Sequence, residues 1–338
     1  MTDSSSPRRT GAAQSETQPE AICDRGRSPD AVVKPQSTGL RALVLSKPSW
    51  HRVASAFVLL LSIIFLGWKA HQSWDALRAY PWQIRYSRIV ASAALYVLQT
   101  LIVVFAWQLI MNSLSERLPL RRHTRIYGVT NLLRRIPAGM LWVIAGRAYA
   151  YRDWEVPARV AALGSLLEMW LVISTGLPLA ALAAPALGLL PRSQGWGLAA
   201  AACILNVITL HPRVIDKMLN RLRGESCPTE LTYRTTLLWA LIYVAIWLVS
   251  GVGLFAMAQL FTDVSVAHLP ATIGVWVLSS LISYLTLLSP SGLGVKELSL
   301  TLLLGIFLAD PLPLLVALAM RLIWTLYDVL FGLGALLL

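Results

Sequence analysis

Cysteine and histidine are scarce in this chain, with three cysteines and five histidines in 338 residues. Cys23, Cys203 and Cys227 have neither the spacing of a metal motif nor that of a disulfide framework. The histidines are scattered, with no pair at helical spacing. We therefore expect no metal site and no cofactor, and the sequence shows no nucleophile or aminoacyl-transfer domain that would indicate an enzyme.

Charged residues are also few, and acidic ones are the rarer kind. Charged residues make up 14% of the chain against 56% hydrophobic, and 29 Lys and Arg outnumber 17 Asp and Glu. The mean hydropathy of +0.62 is typical of an integral membrane protein. Because basic residues of such proteins collect on the cytoplasmic side, the net charge of +12 indicates topology and not a nucleic-acid partner.

The first 47 residues contain no long apolar run. They are rich in Ser, Pro, Gly and Arg, a composition that predicts disorder because it cannot bury a core. The missing apolar h-region argues against a cleaved signal peptide. Basic residues ahead of the first span predict a cytoplasmic tail. Residues 48–338 are predicted to be one transmembrane domain in the cell (inner) membrane.

Apolar segments predict an all-α, polytopic membrane helix bundle with about seven full spans plus two broken or re-entrant elements. The predicted spans are Val53–Trp68, Ile89–Met111, Val160–Leu177, Gly195–Leu210, Thr235–Phe261, Ala271–Leu288 and Leu314–Leu338. The two other elements are Ile126–Ala150, which Pro137 and Gly139 interrupt, and Leu298–Leu308, which is shorter than the ~20 residues of a full span. If Leu298–Leu308 crosses, the C-terminus is cytoplasmic; if it re-enters, the C-terminus is external.

A second break carries Pro290, Gly292 and Gly294, followed directly by Lys296 and Glu297. Broken backbone at membrane depth is tolerated where it lines a polar cavity, and the helix that follows favours anions at its N-terminus. The alternative is an ordinary loop in which Glu297 caps its own helix and Lys296 lies at the headgroup level.

Three charged residues interrupt apolar segments and are candidate site residues. Glu168 and Arg321 fall at membrane depth, where a charge is costly and needs a partner or water. Arg321 could pair with Asp328 or with Glu168 in a purely structural role. Arg147 is explained most simply as a positive-inside residue, although a guanidinium is also well shaped to hold a lipid phosphate. We expect Glu297, Arg321 and Glu168 to share one polar cavity.

The two breaks have a common spacing. The same number of residues separates Pro137 from Glu168 and Pro290 from Arg321, and the two charges have opposite signs. This spacing favours a duplicated architecture of the kind found in transporters.

The run Pro290-Ser291-Gly292-Leu293-Gly294-Val295-Lys296-Glu297 resembles the Pro-Gly-Gly-Leu/Ile-Gly-Val-x-Glu signature of the flippase-like membrane region of lysylphosphatidylglycerol synthases. Arg321 resembles the arginine of the next helix in that superfamily, and the segment 137–152 with Glu168 resembles its first half. Ser291 replaces a glycine of the signature. The resemblance implies a stand-alone membrane member without the synthetase domain, which handles lipid.

The leading functional hypothesis is therefore a flippase or transporter for an anionic or carrier-linked lipid, with a headgroup bound by Arg321, Lys296 and Arg147. One alternative is a membrane glycosyltransferase that uses a polyprenyl-phosphate sugar, for which Asp153 and Glu155 form the only Asp-x-Glu run. The other is a non-catalytic membrane partner of an envelope or polysaccharide pathway.

Overall fold

The computed structural model describes residues 60, 64–65, 67–80, 84–115, 117–134, 139–223, 231–285 and 294–338. The predicted tail and most of Val53–Trp68 lie outside these ranges, as do Pro137, Pro290 and Gly292. Regular structure within the described residues is helical throughout.

Within the described residues, eleven α-helices from Trp74 onward have defined bounds. The α-helices are α1 (Trp74–Ala79), α2 (Tyr86–Leu114), α3 (Leu120–Leu133), α4 (Gly139–Ala150), α5 (Ala158–Ala183), α6 (Arg192–Thr209), α7 (Pro212–Arg223), α8 (Tyr233–Ala258), α9 (Leu269–Leu285), α10 (Val295–Leu304) and α11 (Leu312–Leu336). Short 3-10 helices cover Arg152–Trp154, Ala184–Leu187 and Val266–His268.

Five of the described helices are long and apolar enough to cross a membrane. They are Tyr86–Leu114, Ala158–Leu187, Tyr233–Ala258, Val266–Tyr284 and Leu312–Leu336. Large apolar side chains such as Leu101, Leu241 and Leu322 are exposed on their outer surfaces, where lipid chains would cover them. The part of the chain that the structure describes is thus all-helical, and its five apolar helices are consistent with a multi-pass membrane protein.

The other predicted elements are shorter. Helix α6 has 18 residues and covers the predicted span Gly195–Leu210 except for Leu210, and its first turn carries Arg192. The segment Ile126–Ala150 does not form one helix, because α3 ends at Leu133 and α4 begins at Gly139. This confirms the break that the sequence predicts there. Helix α10 has ten residues, about 15 Å at the rise of an α-helix.

Contacts between distant residues define two ends of the bundle. At the Asp310 end, Lys69 Nζ lies 2.6 Å from Asp310 Oδ2, and the rings of His268 and Phe307 stack with centroids 5.2 Å apart. Arg85, before α2, donates its backbone N–H to Leu260 O at the same end.

At the opposite, Ala335 end, Gly128 of α3 lies against Ala335 near the end of α11. Helix α11 therefore starts at the Asp310 end and finishes at the other. Helix α10 precedes it and finishes at the Asp310 end.

Glycines let several helices approach closely, and Gly251 of α8 shows the effect best. A Cβ at this position would lie 2.8 Å from the Cα of Ile273 in α9, which is backbone and cannot move away without shifting the helix. We expect Gly251→Ala to lower the thermal unfolding temperature in detergent, because overpacking costs about 1–3 kcal/mol. Gly334→Ala is the matched control, since a Cβ there meets nothing within 4 Å. Equal unfolding temperatures for the two variants would contradict this packing.

Candidate functional site

A buried ion pair joins α4 to α5. Arg147, on the last turns of α4, donates from Nη1 to Oε2 of Glu168. The other carboxylate oxygen, Oε1, accepts a hydrogen bond of 2.9 Å from the hydroxyl of Tyr127 on α3. Glu168 lies ten residues into α5, about 15 Å from the helix start and well inside a helix long and apolar enough to cross a membrane.

Both members of this ion pair are buried, so folding must offset the cost of removing two charges from water. Arg147 is 1% exposed and Glu168 is 7% exposed. The Arg147 guanidinium also lies over two aromatic rings, 4.0 Å from the centroid of Trp107 and 4.4 Å from that of Tyr127. Aromatic faces stabilise a desolvated cation by about 2 kcal/mol. The pair is therefore built so that the cation has partners on several sides.

A cavity opens beside the ion pair. Its lining contains two arginines and one carboxylate, and the full set is Arg134, Val143, Ile144, Arg147, Ser165, Glu168, Met169, Val172 and Tyr284. The cavity has a volume of about 20 Å³, room for one water molecule. Arg147 Nε is buried and has no hydrogen-bond partner among the described residues. The charges that line the cavity sum to a positive value.

A chain of hydrogen bonds continues from the Trp107 ring toward the Ala335 end. Trp107 Nε1 donates to Tyr151 Oη at 2.8 Å, and Tyr151 Oη lies 2.6 Å from His123 Nδ1. His123 Nε2 is 3.2 Å from Asn112 Oδ1, which can only accept. His123 therefore donates from Nε2 and accepts from Tyr151 at Nδ1, which is the neutral imidazole. Burial lowers the pKa of His123 to about 4, in agreement with that form.

The second candidate cluster forms around Glu297 at the start of α10. Gly294, the residue before the helix, has φ of 83°, a conformation that favours glycine. Its N–H donates to Glu297 Oε2 at 2.7 Å, while Glu297 Oε1 lies 3.1 Å from Arg321 Nη1. Glu297 thus caps its own helix and pairs with Arg321 at the same time.

Aromatic rings surround this second cluster as well. Lys296 Nζ lies 3.6 Å from the centroid of the Trp276 ring on α9. Trp276 contacts Trp324 of α11 edge to face, with centroids 4.7 Å apart. Lys296 is therefore held against the bundle by a cation–π contact.

A third buried carboxylate belongs to Asp328 of α11. Asp328 Oδ1 accepts from the hydroxyl of Tyr96 on α2 and, at 2.9 Å, from Asn131 Nδ2 on α3. These bonds tie the Ala335 half of α11 to two neighbouring helices. The sequence interpretation that Asp328 could be the partner of Arg321 is wrong, since Glu297 takes that place.

The predicted site residues thus fall into two pairs. Glu168 pairs with Arg147, and Glu297 pairs with Arg321. Neither Glu297 nor Arg321 is in the described lining of the cavity beside Glu168, and the single shared cavity stays a prediction. Among the motif glycines, Gly139 begins α4 and Gly294 precedes α10.

The structure corrects the interpretation of Arg147 and adds residues. Arg147 is buried in an ion pair, which an unpaired positive-inside residue would not be, whereas Arg152 is exposed. Tyr127 and Tyr284 were not predicted as site residues. Their signal was only a tyrosine within an apolar segment, which describes many interfacial residues equally well.

No protein-family model matches the chain, and no curated protein matches it. The two clusters must therefore be interpreted from their own geometry and chemistry.

Proposed function

We propose that this protein moves a lipid with an anionic headgroup across the membrane, and that the headgroup phosphate binds beside Arg147. The observation that carries the proposal is the cavity lined by Arg134, Arg147 and Glu168, beside a helix long and apolar enough to cross a membrane. Charges within a membrane are costly and are typical of substrate or ion pathways. An excess of guanidinium over carboxylate suits a phosphate, which an arginine can hold with two parallel hydrogen bonds.

The small volume of the cavity is consistent with a closed conformation. A phosphate needs more room than one water molecule, so binding requires Arg147 to turn from Glu168 toward the ligand. Glu168 would hold Arg147 in place between transport events, because an unpaired buried guanidinium is strongly unfavourable.

We further propose that Val53–Trp68 and α6 complete seven spans, and that the two interrupted elements are re-entrant. We also propose that the protein is a flippase-like member of the lysylphosphatidylglycerol synthase superfamily in the cytoplasmic membrane, with its N-terminus cytoplasmic. Support comes from the Pro290–Glu297 motif and from the pairing of its last residue with Arg321.

The test is transbilayer movement of tail-labelled lipid in vesicles that contain the purified protein. The probes are phosphatidylglycerol, a polyprenyl-phosphate sugar and the zwitterionic phosphatidylcholine, and a membrane-impermeant reductant bleaches the label in the outer leaflet. We expect one of the two probes with a net negative charge to move faster than phosphatidylcholine. The faster of these two probes identifies which lipid supplies the phosphate. Arg152→Gln is the control, because Arg152 is exposed. Rates equal to those of protein-free vesicles for all three probes would overturn the proposal.

A further inference from the structure

The order of helices repeats along the chain with reversed direction. Each series consists of a long helix, an antiparallel pair of helices and a second long helix. The first series is α2, the pair α3 and α4, and α5; the second is α8, the pair α9 and α10, and α11. Within each series the pair packs together, and its second member packs against the long helix that follows.

The direction of each series follows from its contacts. In the first series, the pair starts and finishes at the Ala335 end, since His123 near the start of α3 lies 2.6 Å from Tyr151 just after α4. In the second series, the pair starts and finishes at the Asp310 end, since Phe307 after α10 stacks on His268 before α9. Helices α5 and α11 then run in opposite directions across the bundle.

The contacts between the two series are also symmetric. Helix α2 packs against α8, its own counterpart. Helix α11 packs against α3 with Gly128 and Gly332 at the interface, and the counterpart helices α5 and α9 pack with Gly176 and Gly274 at theirs. In each of the last two contacts, the first helix of one pair packs against the second long helix of the other series. An internal repeat explains why both contacts follow this rule.

The two ion pairs occupy equivalent places in the two series. Arg147 on the second helix of the first pair bonds to Glu168 on the next long helix, and Glu297 bonds to Arg321 in the same way. Glu168 lies ten residues into α5, and Arg321 lies nine residues into α11. Each charge is therefore about 14–15 Å from the start of its helix, but measured from opposite ends.

We propose that the protein consists of two inverted repeats, and that Glu297–Arg321 is a second gate equivalent to Arg147–Glu168. The first gate opens toward the Ala335 end and the second toward the Asp310 end. Inverted repeats carry substrate between two sides by alternating which half opens. The inference rests on the proposed function for its substrate, an anionic lipid headgroup that passes from one gate to the other.

Two single-cysteine reporters test the gates in a background without the native cysteines. Ser165 lines the cavity, one helical turn from Glu168 on the side of the Ala335 end. Thr301 is buried on the same face of α10 as Glu297, one turn from it on the side of the Asp310 end. Exposed Leu337 and Val266, changed to cysteine, show which side a membrane-impermeant thiol reagent reaches.

We expect Glu168→Gln to speed labelling of Ser165→Cys from the Ala335 side about tenfold or more, because a neutral amide bonds to the Arg147 guanidinium more weakly than a carboxylate does. Glu297→Gln should speed labelling of Thr301→Cys only from the Asp310 side. If Glu168→Gln fails to fold, Tyr127→Phe replaces it in the test. This variant removes one hydrogen bond to Glu168 and leaves the ion pair, so we expect faster labelling of Ser165→Cys by a smaller factor.

Labelling of both reporters from one side, or no response to either glutamine substitution or to Tyr127→Phe, would overturn the repeat. The assay measures thiol access and no lipid movement. Failure of the proposed function alone would therefore leave the labelling pattern intact.

Discussion

Replacement of Arg147 by Met is expected to destabilise the folded protein by about 3–5 kcal/mol, because it leaves the Glu168 carboxylate buried without its cation. Arg147 is 1% exposed and also contacts the rings of Trp107 and Tyr127. The measurement is the midpoint of unfolding in a detergent in which the wild-type protein unfolds reversibly. This is the largest stability effect we expect from a single substitution outside the apolar core.

The double variant Arg147→Met, Glu168→Leu separates the ion pair from its surroundings. Exchange of a whole buried pair for apolar residues is often neutral or stabilising, so the double variant should recover most of the loss. Arg152→Met is the matched control, because Arg152 is an exposed arginine just after α4. We expect it to change the free energy of unfolding by less than about 0.5 kcal/mol. Equal effects of the two single arginine substitutions would show that Arg147 is not buried in solution.

Replacement of Arg321 by Leu is expected to remove most lipid translocation while the protein remains folded. The side chain of Arg321 is 20% exposed, and its partner Glu297 keeps the hydrogen bond from Gly294 N–H. Loss of a charge-assisted contact of ~1.5–3 kcal/mol corresponds to a rate about 10–100-fold lower. Arg321→Lys should recover part of the rate, because it keeps the charge and loses the planar fork.

The rate per folded molecule in vesicles measures this effect, with the folded fraction taken from size-exclusion chromatography. A purely structural ion pair gives the opposite pattern. In that case Arg321→Leu lowers the unfolding temperature, and the rate per folded molecule stays at the wild-type value.

Much of the helical architecture could be predicted from residue types alone. The length of apolar segments identified the five helices that the structure shows to be long enough to cross a membrane. Pro137 and Gly139 identified the break between α3 and α4, since proline ends helices and glycine weakens them. Glu168 and Arg321 stood out because a charge in an apolar segment is rare.

The partners of these charges could not be predicted, because they depend on which helices lie side by side. Arg147 follows a short apolar run and has the sequence pattern of an interfacial arginine. Arg147 is buried because α4 packs against both α3 and α5, which places its guanidinium beside the Trp107 ring and the Glu168 carboxylate. Tyr127 likewise reaches Glu168 across a sequence separation that no local pattern reports.

The sequence could not predict that the two repeats run in opposite directions. Equal spacing from Pro137 to Glu168 and from Pro290 to Arg321 indicates duplication. Spacing is the same for parallel and inverted repeats, however, so the direction needed the contacts at Asp310 and Ala335.

The most direct measurement is the ratio of two transport rates, an anionic phosphate-bearing probe against phosphatidylcholine, in the same vesicles. We expect a ratio well above one for the wild-type protein and for Arg152→Gln. We expect a ratio near one for the double variant Arg147→Gln, Glu168→Gln, which removes both charges of the buried pair together. A ratio near one for the wild-type protein, or an unchanged ratio in the double variant, would contradict the assignment of Arg147 as the phosphate ligand.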